Sequence, residues 1–296
     1  MQLPVLELSE WEDSRLKWQL VCQIIGKVRL KMHPPVNHWW HVPLYLSPRG
    51  LTTDDIPFKD GLFSIEVDVL SQRVVVATSS PRAVEIPLDE RPVADIYADL
   101  RRALSDLGIE AKILARPYKC KSDRPFAEDR EHTAWDTDAV TKAWRVLTEI
   151  EPVFKEFRGR FIGKCSPVHM FWHSFDLAVT RFSGRRAPEM PTADAVTREA
   201  YSHEVNSAGF WFGDDNTPEA AFYCYTAPAP SGLDQQPLRP AKAFWQELYG
   251  SPMALLLYRD WRESEDPRAA LLDFLQSSYE AGANAAGWDR AALERA

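Results

Sequence analysis

Apolar positions recur at helical spacing near the start of the chain, at Trp11, Leu16, Leu20, Ile24 and Val28. They follow Ser9-x-x-Glu12, the pattern of a reciprocal helix cap, so a first helix is expected there. HWWHVPLYL then reads as extended, because Pro43 disfavours helix. Phe63, Ile65, Val67 and Val69 alternate with Ser64, Glu66 and Asp68, a half-buried strand; Arg73 to Thr78 follows a short turn and completes a hairpin. Pro92 opens a helix with Val93, Ile96, Tyr97, Leu100, Leu104 and Leu107 on one face, and Gly108 stops it. IEAKILA reads as another strand.

The second half runs through the same order. A helix begins near Thr137 and carries Val140, Trp144, Leu147, Phe154 and Phe157. VHMFWHSFDLAVTRF, HEVNSAGFWF and AAFYCYT read as strands, followed by a helix from Pro240 and the strand MALLLY. RPVADIYADL lies over RPAKAFWQEL, and Thr78 and Thr226 each stand 13 residues before the arginine that opens the match. Trp40-His41 with Arg49 is echoed by Trp172-His173 with Arg181 at equal spacing. The pattern therefore predicts an α+β fold of two internally duplicated α-β-β-β-α-β units, with mainly antiparallel sheet and a pseudo-twofold axis. The units are residues 1–116 and 137–262, joined by a connecting loop at 117–136. A C-terminal helical extension, 263–296, opens at Asp266-Pro267. The polar, proline-bearing excursions 117–136 and 183–200 read as surface loops or lids.

Composition narrows the class. A net charge of −8 and no basic stripe argue against nucleic acid. No apolar run approaches the roughly 18 residues of a membrane span, and no signal peptide is legible in the first residues. Cys22, Cys120, Cys165 and Cys224 stand singly, as expected of reduced thiols in a cytoplasmic protein, and they make no thiolate zinc site. Eleven Trp and fourteen Phe point to well-filled cores or an aromatic-lined pocket.

Candidate chemistry lies in polar residues set within apolar strands. Asp176 has Trp172, Ser174, Ala178, Thr180 and Phe182 as its alternate neighbours, no solvent face, so its carboxyl must be paired or have a raised pKa. It reads as an acid/base group or as half of a structural ion pair. His203 and Glu204 open a strand and point to opposite faces, with Asn206 beside Glu204 and Trp211 beside His203. Ser207, Ala208 and Gly209 leave room for a ligand or for another backbone. His169 and His173 would stand about 13 Å apart in a strand, too far to share a metal. His38 and His41 would face opposite sides. No metal site is therefore expected, the one alternative being a site assembled from His41, His169 and His203. Arg49 and Arg181, at matched positions, could form a fork for carboxylate or phosphate. Cys165, four before His169, reads as an inert thiol more readily than as a nucleophile. No phosphate loop, nucleophile elbow or dinucleotide fingerprint occurs.

NHWWHVPLYLSPRGLTT, KCSPVHMFWHSFDLAVTRFSGR, EAYSHEVNSAGFWFG and AFYCYTAPAP span nearly the whole chain. They resemble the hallmark segments of a bacterial family built on a domain of unknown function. Where His173 stands the family pattern tends to have glycine. The resemblance implies a bacterial, cytoplasmic protein and carries over no activity, cofactor or functional residue.

The expected function is an enzyme acting on a small polar or anionic molecule, or a non-catalytic module that binds one. His169, Asp176, His203 and Glu204 would supply acid/base groups. His41, Arg49, Trp172, Arg181, Asn206 and Trp211 would line the same cavity, with Arg181 near its mouth. Neither the cofactor nor the oligomeric state is legible.

Overall fold

The computed structural model describes residues 3–59, 61–214 and 217–295. Helix α1 (Leu8–Met32) is buried along most of its length and packs between both halves of the molecule. Its polar residues are not a solvent face. Lys17 Nζ donates to Asp89 O and Thr133 O, Gln19 to His173 O, and Gln23 exchanges hydrogen bonds with the Tyr118 backbone. The helix starts at Leu8 on an uncapped Glu7, so Ser9 lies inside it and the expected reciprocal cap does not form.

The first sheet holds β1 (Tyr45–Leu46), β2 (Gly50–Thr52), β4 (Gly61–Asp68), β5 (Arg73–Thr78) and β6 (Ala83–Pro87) in that order, with β3 (Ile56–Phe58) paired to β4. Helices α2 (Val93–Asp106) and α3 (Thr137–Gly159) follow, α3 capped by Asp136. The second sheet is formed by β7 (His169–Phe171), β8 (Asp176–Arg186), β9 (His203–Trp211), β10 (Ala221–Ala227), β11 (Phe244–Leu248) and β12 (Ser251–Leu257), ordered β11-β12-β10-β9-β8-β7. All pairings are antiparallel. Leu44 and Met170 exchange backbone hydrogen bonds at 2.8 Å and join the two sheets at a narrow seam. Short helix α4 (Ala195–Ala200) lies in the excursion after β8; α5 (Tyr258–Arg262), α6 (Pro267–Ala285) and the short α7 (Arg290–Leu293) follow β12. Helices α3 and α6 cover one face of the second sheet.

The α+β class and the antiparallel sheets are as the pattern predicts; several elements are not. IEAKILA forms no strand, and the segment expected as a helix from Pro240 contains β11. Its strand is dictated by the turn that follows: Tyr249 and Gly250 both take positive φ, 55° and 75°, the geometry of a two-residue hairpin that returns the chain as β12. RPVADIYADL is thus largely helix and RPAKAFWQEL ends in strand, so the best sequence match between halves joins unlike structures. VHMFWHSFDLAVTRF is not one strand but a hairpin. Phe175 turns at φ 57° and makes Asp176 the first residue of β8, not a mid-strand one. HWWH is a 3-10 turn, with His38 and Trp39 both in the left-handed region at φ 57° and 61°. Among the described residues no helix is long and apolar enough to cross a membrane.

Candidate functional site

The face of the second sheet turned away from α3 and α6 carries Asp176, Ala178, Thr180 and Phe182 from β8, and Val205, Ser207, Gly209 and Trp211 from β9. Tyr223 and Tyr225 of β10 share this face. At one end, buried Asp176 accepts hydrogen bonds from Tyr223 Oη at 2.5 Å and from Ser174 Oγ. Burial pushes its carboxyl pKa up, against the pull of those two hydroxyls. It has no cationic partner among the described residues, so the ion-pair alternative is not what the fold builds. Gly209 makes the bond possible: the Tyr223 ring lies across it, where a Cβ would overlap the ring. Tyr225 stacks beside Tyr223, and its hydroxyl meets that of Tyr201 at 2.9 Å.

At the opposite end a cavity of about 460 Å³ opens to solvent, lined by Asn37, His38, Lys164, Arg186, Arg198, Glu199, Ser202 and His203. The 3-10 turn supplies His38, the end of β8 supplies Arg186, and the α4 excursion supplies Arg198, Glu199 and Ser202. The imidazoles of His38 and His203 meet edge to face with centroids 5.5 Å apart. Lys164 Nζ lies over the Trp40 and Phe182 rings, at 5.3 and 5.4 Å. Among the described residues Lys164, Arg186 and Arg198 form no ion pair. Desolvation, then the Lys164 charge, pull His38 below the ordinary histidine range; desolvation, then Arg186, do the same for His203. Both rings are therefore uncharged at neutral pH.

The remaining residues singled out in the sequence do not join this cavity. His203 lies eight positions from Trp211, the residue opposite Asp176, or about 26 Å along the strand. One cavity shared by Asp176 and His203 is therefore ruled out. His169 is fully buried near the sheet seam, against Phe171 and Tyr45, and burial aided by the Arg29 charge lowers its pKa to about 3. Glu204 turns to the other face, bonded to Ser183 Oγ at 2.8 Å and paired with Arg185 at 2.7 Å. It lines a smaller cavity of about 180 Å³ with Thr226, Pro228 and Trp288. Asn206, on Glu204's face, donates to Thr226 Oγ1 at 3.0 Å.

Arg181 is buried, not at a mouth. Its guanidinium lies 3.4 Å from the Phe157 centroid and 4.4 Å from that of Tyr279, and it donates to Phe157 O. Arg49 pairs with Asp68 at 2.5 Å on the other sheet, so the expected fork of Arg49 and Arg181 does not assemble. Trp172 packs on Gly26 of α1 and donates to Val42 O at 2.8 Å. Trp211 lies half-buried against Tyr223. His41 stacks on Trp39 and meets the Val36 backbone. His41, His169 and His203 thus sit in three separate environments, and among the described residues no cluster of three or more His, Cys, Asp or Glu could hold a metal. Burial lifts the Cys165 thiol to about 11, which keeps it protonated.

Sequence reasoning passed over Lys164, Arg186, Arg198, Glu199 and Ser202, and used His38 only in a test for chelation. For Arg186, Arg198 and Glu199 the available signal was their clustering in SGRRAPEMPTADAVTREA, the excursion read as a loop or lid; Lys164 and Ser202 lie outside it.

No curated protein and no solved structure matches the chain. The family model described as a family of unknown function, DUF5996, matches residues 3–295, and the chain belongs to that family.

Proposed function

We propose that this protein binds a small anionic molecule in the cavity between His38, Lys164 and the α4 excursion. One observation carries the reading: three cationic side chains without ion-pair partners among the described residues line a single cavity beside two imidazoles, with Glu199 the one carboxylate in the lining. In a chain of net charge −8, such a local excess of positive charge focuses field on the cavity and draws anions to it. Two neutral imidazoles also suit proton transfer at neutral pH, so an enzyme acting on the anion and a module that only holds it share this site. Turnover of the bound molecule, not its binding, separates the two.

Calorimetric titration with inorganic phosphate tests the reading. Binding by the wild type should weaken at least about tenfold in Arg198→Ala, and further in Arg186→Ala/Arg198→Ala, since a charge-assisted hydrogen bond contributes about 1.5–3 kcal/mol. Arg49→Ala should bind as the wild type does. Equal affinity in all four proteins, or no binding to the wild type at millimolar phosphate, would sink the proposal.

A further inference from the structure

The hydrogen bonds around the two imidazoles fix which nitrogens carry hydrogen. His38 Nδ1 lies 3.1 Å from Glu199 O and 3.3 Å from Ala200 O. Carbonyl oxygens only accept, so Nδ1 is the protonated nitrogen and Nε2 of the neutral ring is a bare lone pair. The second ring is fixed one step further out. Ser202 Oγ gives its single hydrogen to Glu199 O at 2.8 Å. Its lone pair therefore accepts from His203 Nδ1, 3.1 Å away, which leaves His203 Nε2 bare as well. Neither Nε2 has a hydrogen-bond partner among the described residues, and both rings line the cavity. The charged groups facing them are Lys164, Arg186 and Arg198, together with Glu199, whose Oε1 accepts from the His38 backbone amide at 3.2 Å.

An occupant meets two demands that few anions satisfy together. The cations call for negative charge. The bare nitrogens repel an oxygen lone pair and call for a hydrogen. Resting on the reading of this cavity as an anion site, we infer that it selects an oxyanion bearing its own hydroxyl, of the phosphate class, over an anion of equal charge and size with no hydrogen to donate. Ser202 acts as a positioning residue, since it holds the His203 tautomer through its own committed hydroxyl. The depressed basicity of both rings keeps the nitrogens bare at neutral pH.

Inorganic phosphate and sulfate form the decisive pair, because near pH 7.5 both are mainly dianions and only phosphate carries a hydrogen. Calorimetry at pH 7.5 should show phosphate bound at least about tenfold more tightly, the worth of one well-made hydrogen bond. Ser202→Ala should lower the ratio at pH 7.5 while sulfate affinity holds or rises. Equal or tighter binding of sulfate at pH 7.5 would overturn the selectivity and leave the anion site standing. A wild-type ratio in Ser202→Ala would overturn the role given to that hydroxyl. Failure of both anions to bind would overturn the site itself and this inference with it.

Discussion

Asp176 shows how far one residue can be read before its partners are known. Its alternation with apolar neighbours predicts a buried carboxyl, and buried it is. The partner lies 47 positions away on another strand, reached only because Gly209 leaves space for the Tyr223 ring to cross. The space at Gly209, read as room for a ligand or another backbone, is filled by the protein's own tyrosine, which no local pattern announces. Two substitutions follow. Tyr223→Phe should cost about 1–3 kcal/mol, because it strips a hydrogen bond from a buried acceptor. Asp176→Asn keeps an acceptor for Tyr223 and should lie within about 1 kcal/mol of wild type near pH 4. The folded carboxyl has a raised pKa, so its contribution is fully present below the unfolded value of 3.8 and is lost as pH rises through the folded value. Between pH 4 and pH 7, urea unfolding should therefore move in favour of the asparagine variant. A shift in favour of the wild type would mean that the folded protein prefers the carboxylate charged.

Elements with a strong single period were legible and those fixed by distant contacts were not. The β4–β5 hairpin, α2, α3 and α6 follow their periodicity and caps closely. Helix α1 carries polar residues that look solvent-facing, yet it is a central pin whose side chains bond loop backbones. Strand β11 was hidden because its turn uses Tyr249 in a conformation that favours glycine or asparagine. The loop before α3 has its own anchor. Asp129 is fully buried, its ring partner His132 lies at 2.8 Å, and the loop's carbonyls accept from the first amides of α2. Hydrogen bonding to Asp129 raises the His132 pKa above 6.5. Burial pushes the Asp129 carboxyl up, but its bonds to the His132 ring and backbone bring the net value below 3.8. The histidine's stabilisation is thus fully present below its unfolded pKa and fades as pH rises through the folded value; the carboxylate's is lost on acidification. His132→Ala should cost most between about pH 4.5 and 6.5, and less by pH 8, in denaturant titrations. A cost that stays flat across that range would show that the pair's charge contributes nothing.

Across the whole molecule the acidic surplus and the cationic cavity work together. Net charge −8 repels anions in general, so an anion bound here must be held by short-range contacts and by field confined to the cavity. Affinity should accordingly fall as sodium chloride rises. Of the residues singled out in the sequence as site residues only His203 lines the cavity; the expected arginines, Arg49 and Arg181, lie elsewhere. The cavity's location was not legible, because the 3-10 turn, the end of β8 and the α4 excursion come together only through the fold. The most direct measurement is a phosphate titration followed by imidazole nitrogen resonances of the seven histidines. Only His38 and His203 line the cavity, so their resonances should move in step and saturate, starting from the Nδ1-protonated tautomer, while those of His41, His132 and buried His169 stay in place. Phosphate-dependent shifts at His169 or His41 with His38 and His203 unmoved would contradict the assignment of this cavity as the binding site.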